Sequence, residues 1–92
     1  MFLVKFLKQA VEITQEITLA FEQESIEEIT FQSHKLKSSA RAVGADALAD
    51  ICQDLEYSSR DNDQARVNAL MIELNPVLEQ VKEAIENIHI PA

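Results

Sequence analysis

His34 is one of two histidines in a chain of 92 residues, and its surroundings set it apart. Lys35, Lys37 and Arg41 follow it closely, and no aspartate or glutamate lies between Ile29 and Ala45. Elsewhere acid dominates: 16 acidic residues oppose 8 basic ones, for a net charge of -8. Cations prefer the C-terminal half of a helix, which accounts for Arg41 better than for Lys35. An anionic group held at or near His34 accounts for all three. Neutral imidazole is a competent nucleophile, its ordinary pKa being about 6.5. An exposed histidine ringed by cations suits a covalent phosphoryl carrier, because the phosphoryl group gains charge-assisted contacts from Lys37 and its neighbours. The ring must be exposed, since the other half of such a reaction centre sits on a partner protein.

These residues need a helix to hold them. Ser25-Ile26-Glu27-Glu28 has the pattern of a capping box, with Ser25 accepting from the Glu28 amide and Glu28 reaching back. Ile26, Ile29, Ser33, Leu36, Ala40 and Val43 then form one apolar stripe, and Gly44 follows as the residue that ends the helix in a left-handed conformation. At about 100° per residue the stripe centres on Ser33, Leu36 and Ala40. His34 therefore faces solvent, with Phe31 and Ser38 one turn to either side and Lys37 and Arg41 flanking the same surface. An outward Phe31 is either a stray surface aromatic or a contact residue beside a functional histidine, and the wheel favours neither.

Three further stretches share the helical period. Leu3, Phe6, Leu7, Ala10, Ile13, Ile17 and Ala20 mark a helix over about 2–21. Leu48, Ile51, Cys52 and Leu55 mark one over about 46–58, with Asp46 as its N-cap and polar loop from Ser58 to Asn62. Val67, Leu70, Met71, Leu74, Leu78, Val81, Ile85 and Ile88 mark the buried side of a fourth, about 63–88. Pro76 predicts a kink in it, or a break into two helices near Leu74-Asn75. With the second helix at about 26–43, the expected fold is an all-α, up-down antiparallel four-helix bundle forming a single domain over 1–92.

Composition agrees. One glycine and two prolines leave too little turn material for most β-rich or α/β folds. An apolar fraction of 47% is ordinary for a globular chain. The net charge argues against nucleic acid and anionic membrane surfaces. A single cysteine, Cys52, suits a reducing compartment and is expected to be inert. The apolar run Phe2 to Val11 is broken by Lys5 and Lys8, too short and too charged to span a bilayer. A cytoplasmic domain follows, free or belonging to a membrane-bound protein.

The run His34-Lys35-Leu36-Lys37-Ser38-Ser39-Ala40, then Val43-Gly44-Ala45, then Leu48, Cys52 and Leu55-Glu56, resembles the histidine-containing phosphotransfer (HPt) domain family. That family's pattern is roughly His-x-Leu-Lys-Gly-Ser-Ala, a small-residue stretch, Gly-Ala or Gly-Leu, then Leu-x-x-x-Cys-x-x-Leu-Glu. The resemblance covers about a quarter of the chain in register, and the flanking amphipathic patterns fit the family's four-helix bundle. It implies a phosphorelay module in which His34 accepts a phosphoryl group from a receiver-domain aspartate and passes it to another receiver. It implies response-regulator receiver domains as partners and no ATP site, cofactor or metal on this chain, with Mg²⁺ in the receiver's acidic pocket. It also implies a carrier rather than an enzyme, acting as a monomer without contacting a membrane.

The resemblance carries over by position. Lys37 matches the lysine that steadies the phosphoryl group. Glu56 stands where members have glutamine or glutamate bonded to the histidine's Nδ1, leaving Nε2 free to attack; otherwise it is a solvated helix residue. Arg60 falls where some members place a basic residue facing the phosphoryl group. Phe31, Lys35, Ser38 and Arg41 form the expected docking surface. Ser38 departs from the commoner glycine, which lets a receiver approach closely. Many members also have a short helix before the first long one, whereas this chain opens almost inside it at Met1-Phe2-Leu3. A domain cut from the C-terminus of a hybrid sensor kinase is expected, with a naturally short module as the alternative.

Three rivals remain. The dimerisation and phosphoacceptor domain of a sensor histidine kinase also presents a histidine on a bundle helix, but typically with an acidic residue next to it, where this chain has Lys35. A non-catalytic helical adaptor leaves the spacing from His34 to Glu56 unexplained. A metal or haem bundle has only His34 and His89 to use, and His89, in the tail Ile88-His89-Ile90-Pro91, reads as idle.

Overall fold

The computed structural model describes residues 2–89 as four helices: α1 (Phe2–Glu22), α2 (Ile26–Ala42), α3 (Asp46–Arg60) and α4 (Gln64–His89). Each helix packs on the next in sequence and α1 closes the ring against α4, so the four run up and down around one core. The side chain of His89 lies outside the described residues. Ile17, Leu36, Leu48, Leu55, Leu70 and Leu74 are fully buried, one or two from each helix. Burying such a side chain contributes about 1.5–3 kcal/mol, so the apolar stripes supply the main drive for assembly.

α2 and α3 pack against each other most extensively. Both bury small side chains: Ser33 and Ala40 from α2, Ala49, Cys52 and Ser59 from α3. Small side chains allow helix axes to come close. This seam holds His34 and Glu56.

The three connections share one geometry. After α2, the Ala45 amide donates to Ala40 O (2.9 Å) and the Gly44 amide to Arg41 O (3.2 Å), with Gly44 at φ 79°. After α1, Ser25 donates to Ala20 O (2.9 Å) and Glu24 to Phe21 O (3.1 Å), with Glu24 at φ 58°. After α3, Asp63 donates to Ser58 O (2.8 Å) and Asn62 to Ser59 O (3.1 Å), with Asn62 at φ 58°. Each is a Schellman turn that satisfies the last helix carbonyls and reverses the chain within three residues.

Several local expectations are corrected. Ser25 occupies the N-cap position of α2 but its hydroxyl makes no capping bond, and Glu28 instead accepts from Gln32 Nε2 at 2.8 Å. Ala45, not Asp46, is the N-cap of α3, and Asp46 is its first helical residue. α3 continues through Ser58, Ser59 and Arg60, which the sequence read as loop. Ser59 is drawn in by bonds to Thr30 Oγ1 (2.7 Å) and to Glu56 O (3.2 Å), so tertiary contact overrides its loop preference. α4 is one helix through Pro76, so the break into two helices near Leu74-Asn75 does not occur. Pro76 takes the usual amide donor from the Ile72 carbonyl, and both residues lie on the solvent side of the helix. Ile88 is exposed rather than buried.

Candidate functional site

Glu56 is the centre of the site. It is 3% exposed, yet carries a carboxylate. Leu55 buries the preceding position, and Glu56 turns with it into the α2–α3 seam. Three basic groups converge on its two oxygens. His34 Nδ1 lies 3.0 Å from Oε2, Arg60 Nη2 donates to Oε2 at 2.8 Å, and Lys37 Nζ stands 2.7 Å from Oε1 as a close ion contact. Arg60 is four residues after Glu56 on the same helix face, while His34 and Lys37 reach across from α2. Burial raises a carboxyl's pKa, but here hydrogen bonds and charge from Lys37 and His34 outweigh it and hold Glu56 below its ordinary 4.5.

His34 itself is open to solvent, its side chain 61% exposed. With Glu56 accepting from Nδ1–H, the imidazole is held in the tautomer whose Nε2 lone pair points away from the carboxylate. Beside it runs an open groove of about 770 Å³, lined among others by Ile26, Thr30, Phe31, His34, Glu56 and Arg60. Phe31 is 61% exposed on the wall of that groove. Ser38 is exposed and its hydroxyl donates to His34 O at 3.2 Å, folded back on its own helix.

The basic island is divided by its contacts. Lys37, with a side chain only 15% exposed, is turned toward Glu56. Arg41 donates to Gln53 Oε1 at 2.9 Å and lies 3.9 Å from Asp50 Oδ1, away from the groove. Lys35 is exposed and has no ion pair among the described residues. The missing acids of α2 are thus supplied by α3, and two of its three cations have carboxylate partners already in the fold. Glu56 is not the solvated helix residue that its polarity allowed.

Sequence reasoning missed three residues here. Thr30 and Ser59 link α2 to α3 beside the groove. Tyr57 lies under both cations, with Lys37 Nζ 5.5 Å and Arg60 Cζ 5.7 Å from its ring centroid. The three-residue step from Tyr57 to Arg60 was the available signal. Cys52 is buried in the core, and burial pushes its thiol up to about 12 against a smaller opposing pull from Lys37. Among the described residues, no three or more histidine, cysteine or acidic side chains gather as a metal site. No described helix is long and apolar enough to cross a membrane.

Residues 1–89 match the family described as Hpt domain. No curated protein and no solved structure matches the chain. Since the family match spans nearly the whole bundle, from the first residue of the chain to the end of α4, this chain belongs to the Hpt domain family, whose members carry phosphoryl groups on histidine in two-component phosphorelays and work with receiver domains.

Proposed function

We propose that His34 is the phosphoacceptor of this domain, taking a phosphoryl group from an aspartyl phosphate of one receiver and passing it to an aspartate of another. The observation that supports this most is His34 Nδ1 at 3.0 Å from the buried Glu56 carboxylate, with the ring otherwise open. In the forward step the Nε2 lone pair attacks phosphorus. The N–P bond forms as the bond from phosphorus to the aspartyl oxygen breaks, and aspartate leaves as a carboxylate. No proton has to move. Nδ1 keeps its hydrogen, the ring becomes cationic, and the fixed charge of Glu56 faces that cation. Onward transfer reverses these steps.

Lys37 and Arg60 are the cations beside this centre, and they take the phosphoryl oxygens by moving off Glu56. Phe31, Lys35, Ser38 and Arg41 contribute the docking surface, with Phe31 as its apolar anchor. Mg²⁺ belongs to the receiver's pocket. The domain works as a monomer in the cytoplasm, and no ATP is bound by this chain.

The test is incubation with phosphorylated receiver domains, followed by mass spectrometry at neutral pH. An acid-labile phosphoryl group on His34 is expected, and His34→Gln is expected to abolish it with the helical circular dichroism unchanged. Label on another residue of the variant overturns the assignment. A folded chain that no receiver labels supports the adaptor reading instead.

A further inference from the structure

We propose that Tyr57 is a positioning residue for phosphoryl transfer, its ring holding Lys37 and Arg60 ready for the phosphoryl group. This rests on the reading of His34 as phosphoacceptor. Tyr57 follows Glu56 on α3 and is about half exposed, so neither core packing nor burial explains an aromatic at that position. Two cations from two helices meet its ring: Lys37 from α2 at 5.5 Å and Arg60 from α3 at 5.7 Å from the centroid. Both lie within the roughly 6 Å over which a cation is attracted to an aromatic face. The same two cations contact Glu56 at 2.7 and 2.8 Å. Each is therefore held by a carboxylate and by an aromatic ring at once.

The two holds differ in what they do after transfer. Glu56 carries a full negative charge and competes with the phosphoryl group for Lys37 and Arg60. Tyr57 carries no net charge. Its ring keeps the cations near the centre without fixing their direction or opposing their turn toward the phosphoryl oxygens. Arg60 gains most, because its exposed side chain has many rotamers to lose and a ring three residues earlier on the helix limits them. Tyr57 thus acts through Lys37 and Arg60 and touches no reacting atom.

Phosphoramidate tests this without a docking partner. Its P–N bond breaks, ammonia leaves, and phosphorus bonds to His34 Nε2. The rate of labelling is read by mass spectrometry at neutral pH, and circular dichroism checks that each variant is folded. Tyr57→Leu is expected to slow labelling roughly three- to tenfold, and Tyr57→Phe, which keeps the ring, to stay within about twofold of the parent. In a Lys37→Ala/Arg60→Ala background, Tyr57→Leu is expected to change nothing further. Labelling of Tyr57→Leu at the parent rate overturns the proposal, and so does equal slowing in the double-alanine background, which marks a merely structural role. If the parent chain takes no label on His34, the phosphoacceptor reading fails first and this proposal falls with it.

Discussion

Removing the Glu56 carboxylate leaves Lys37, a largely buried cation, without its ion partner, while the more exposed His34 and Arg60 return to water. Glu56→Ala should therefore lower stability by about 1–3 kcal/mol, less than a fully buried pair would lose. A urea titration checks this. The same residue gives the fold a pH dependence. Its carboxyl is held below the ordinary 4.5, so the folded state favours the ionised form. That contribution is complete above the ordinary carboxylate range and is lost as pH falls through the lower, folded-state value. Stability of the parent should drop as the medium is acidified below about 4.5, and Glu56→Gln should remove this part of the slope. Cys52, with its thiol pushed up to about 12, should resist iodoacetamide in the folded chain and react once urea unfolds it. At this scale the cluster of cations beside His34 was legible in the sequence, because charge depletion is a matter of residue types alone. The burial of Glu56 was not, because the groups that compensate it, His34 and Lys37, come from another helix and no local pattern records that pairing.

The helices were legible from their apolar periods, and what escaped was their ends. Gly44 announced its turn. Glu24 and Asn62 adopt the same left-handed conformation; Asn62, a residue that tolerates it, stood in the polar run that ends α3, whereas Glu24 gave no such signal. These turns make opposite predictions. A Cβ at Gly44 would meet no atom within 4 Å, so Gly44→Ala is a purely torsional change. It should cost about 1 kcal/mol. Glu24→Gly relieves the same strain and should stabilise by up to about 1 kcal/mol. Thermal melts of the two variants should shift in opposite directions. Asp63 is a loop acid that caps with its side chain, accepting from the Arg66 amide at 3.2 Å. Ser25, in the better-looking capping sequence, does not cap with its hydroxyl. A capping pattern states which bonds are available, and the tertiary setting decides which are made.

As a whole the bundle is a rod of 47 × 20 × 18 Å, with the His34 centre on the seam of two of its four helices. α1 and α4 supply core and no residue of the site described. The groove beside His34 is lined by Glu27 and Glu56 as well as Arg60, and Phe31 is a large exposed apolar side chain on it. Phe31→Ala should weaken binding of a receiver by about 1–3 kcal/mol, measured by calorimetric titration, with helix content unchanged. Identical affinities would reduce Phe31 to an ordinary surface residue. The fold class was legible at this scale because a chain with one glycine and four apolar stripes has few other ways to bury them.

The three short turns also bear on how quickly the chain finds its structure. Because each helix packs on the one made just before it, most contacts join residues near in sequence, and only the meeting of α1 with α4 joins the two ends. Bundles of such low contact order fold within roughly microseconds to milliseconds. A domain of this kind recovers from a transient unfolding event almost as soon as it occurs, so time spent unfolded takes little from the interval in which a partner must find it.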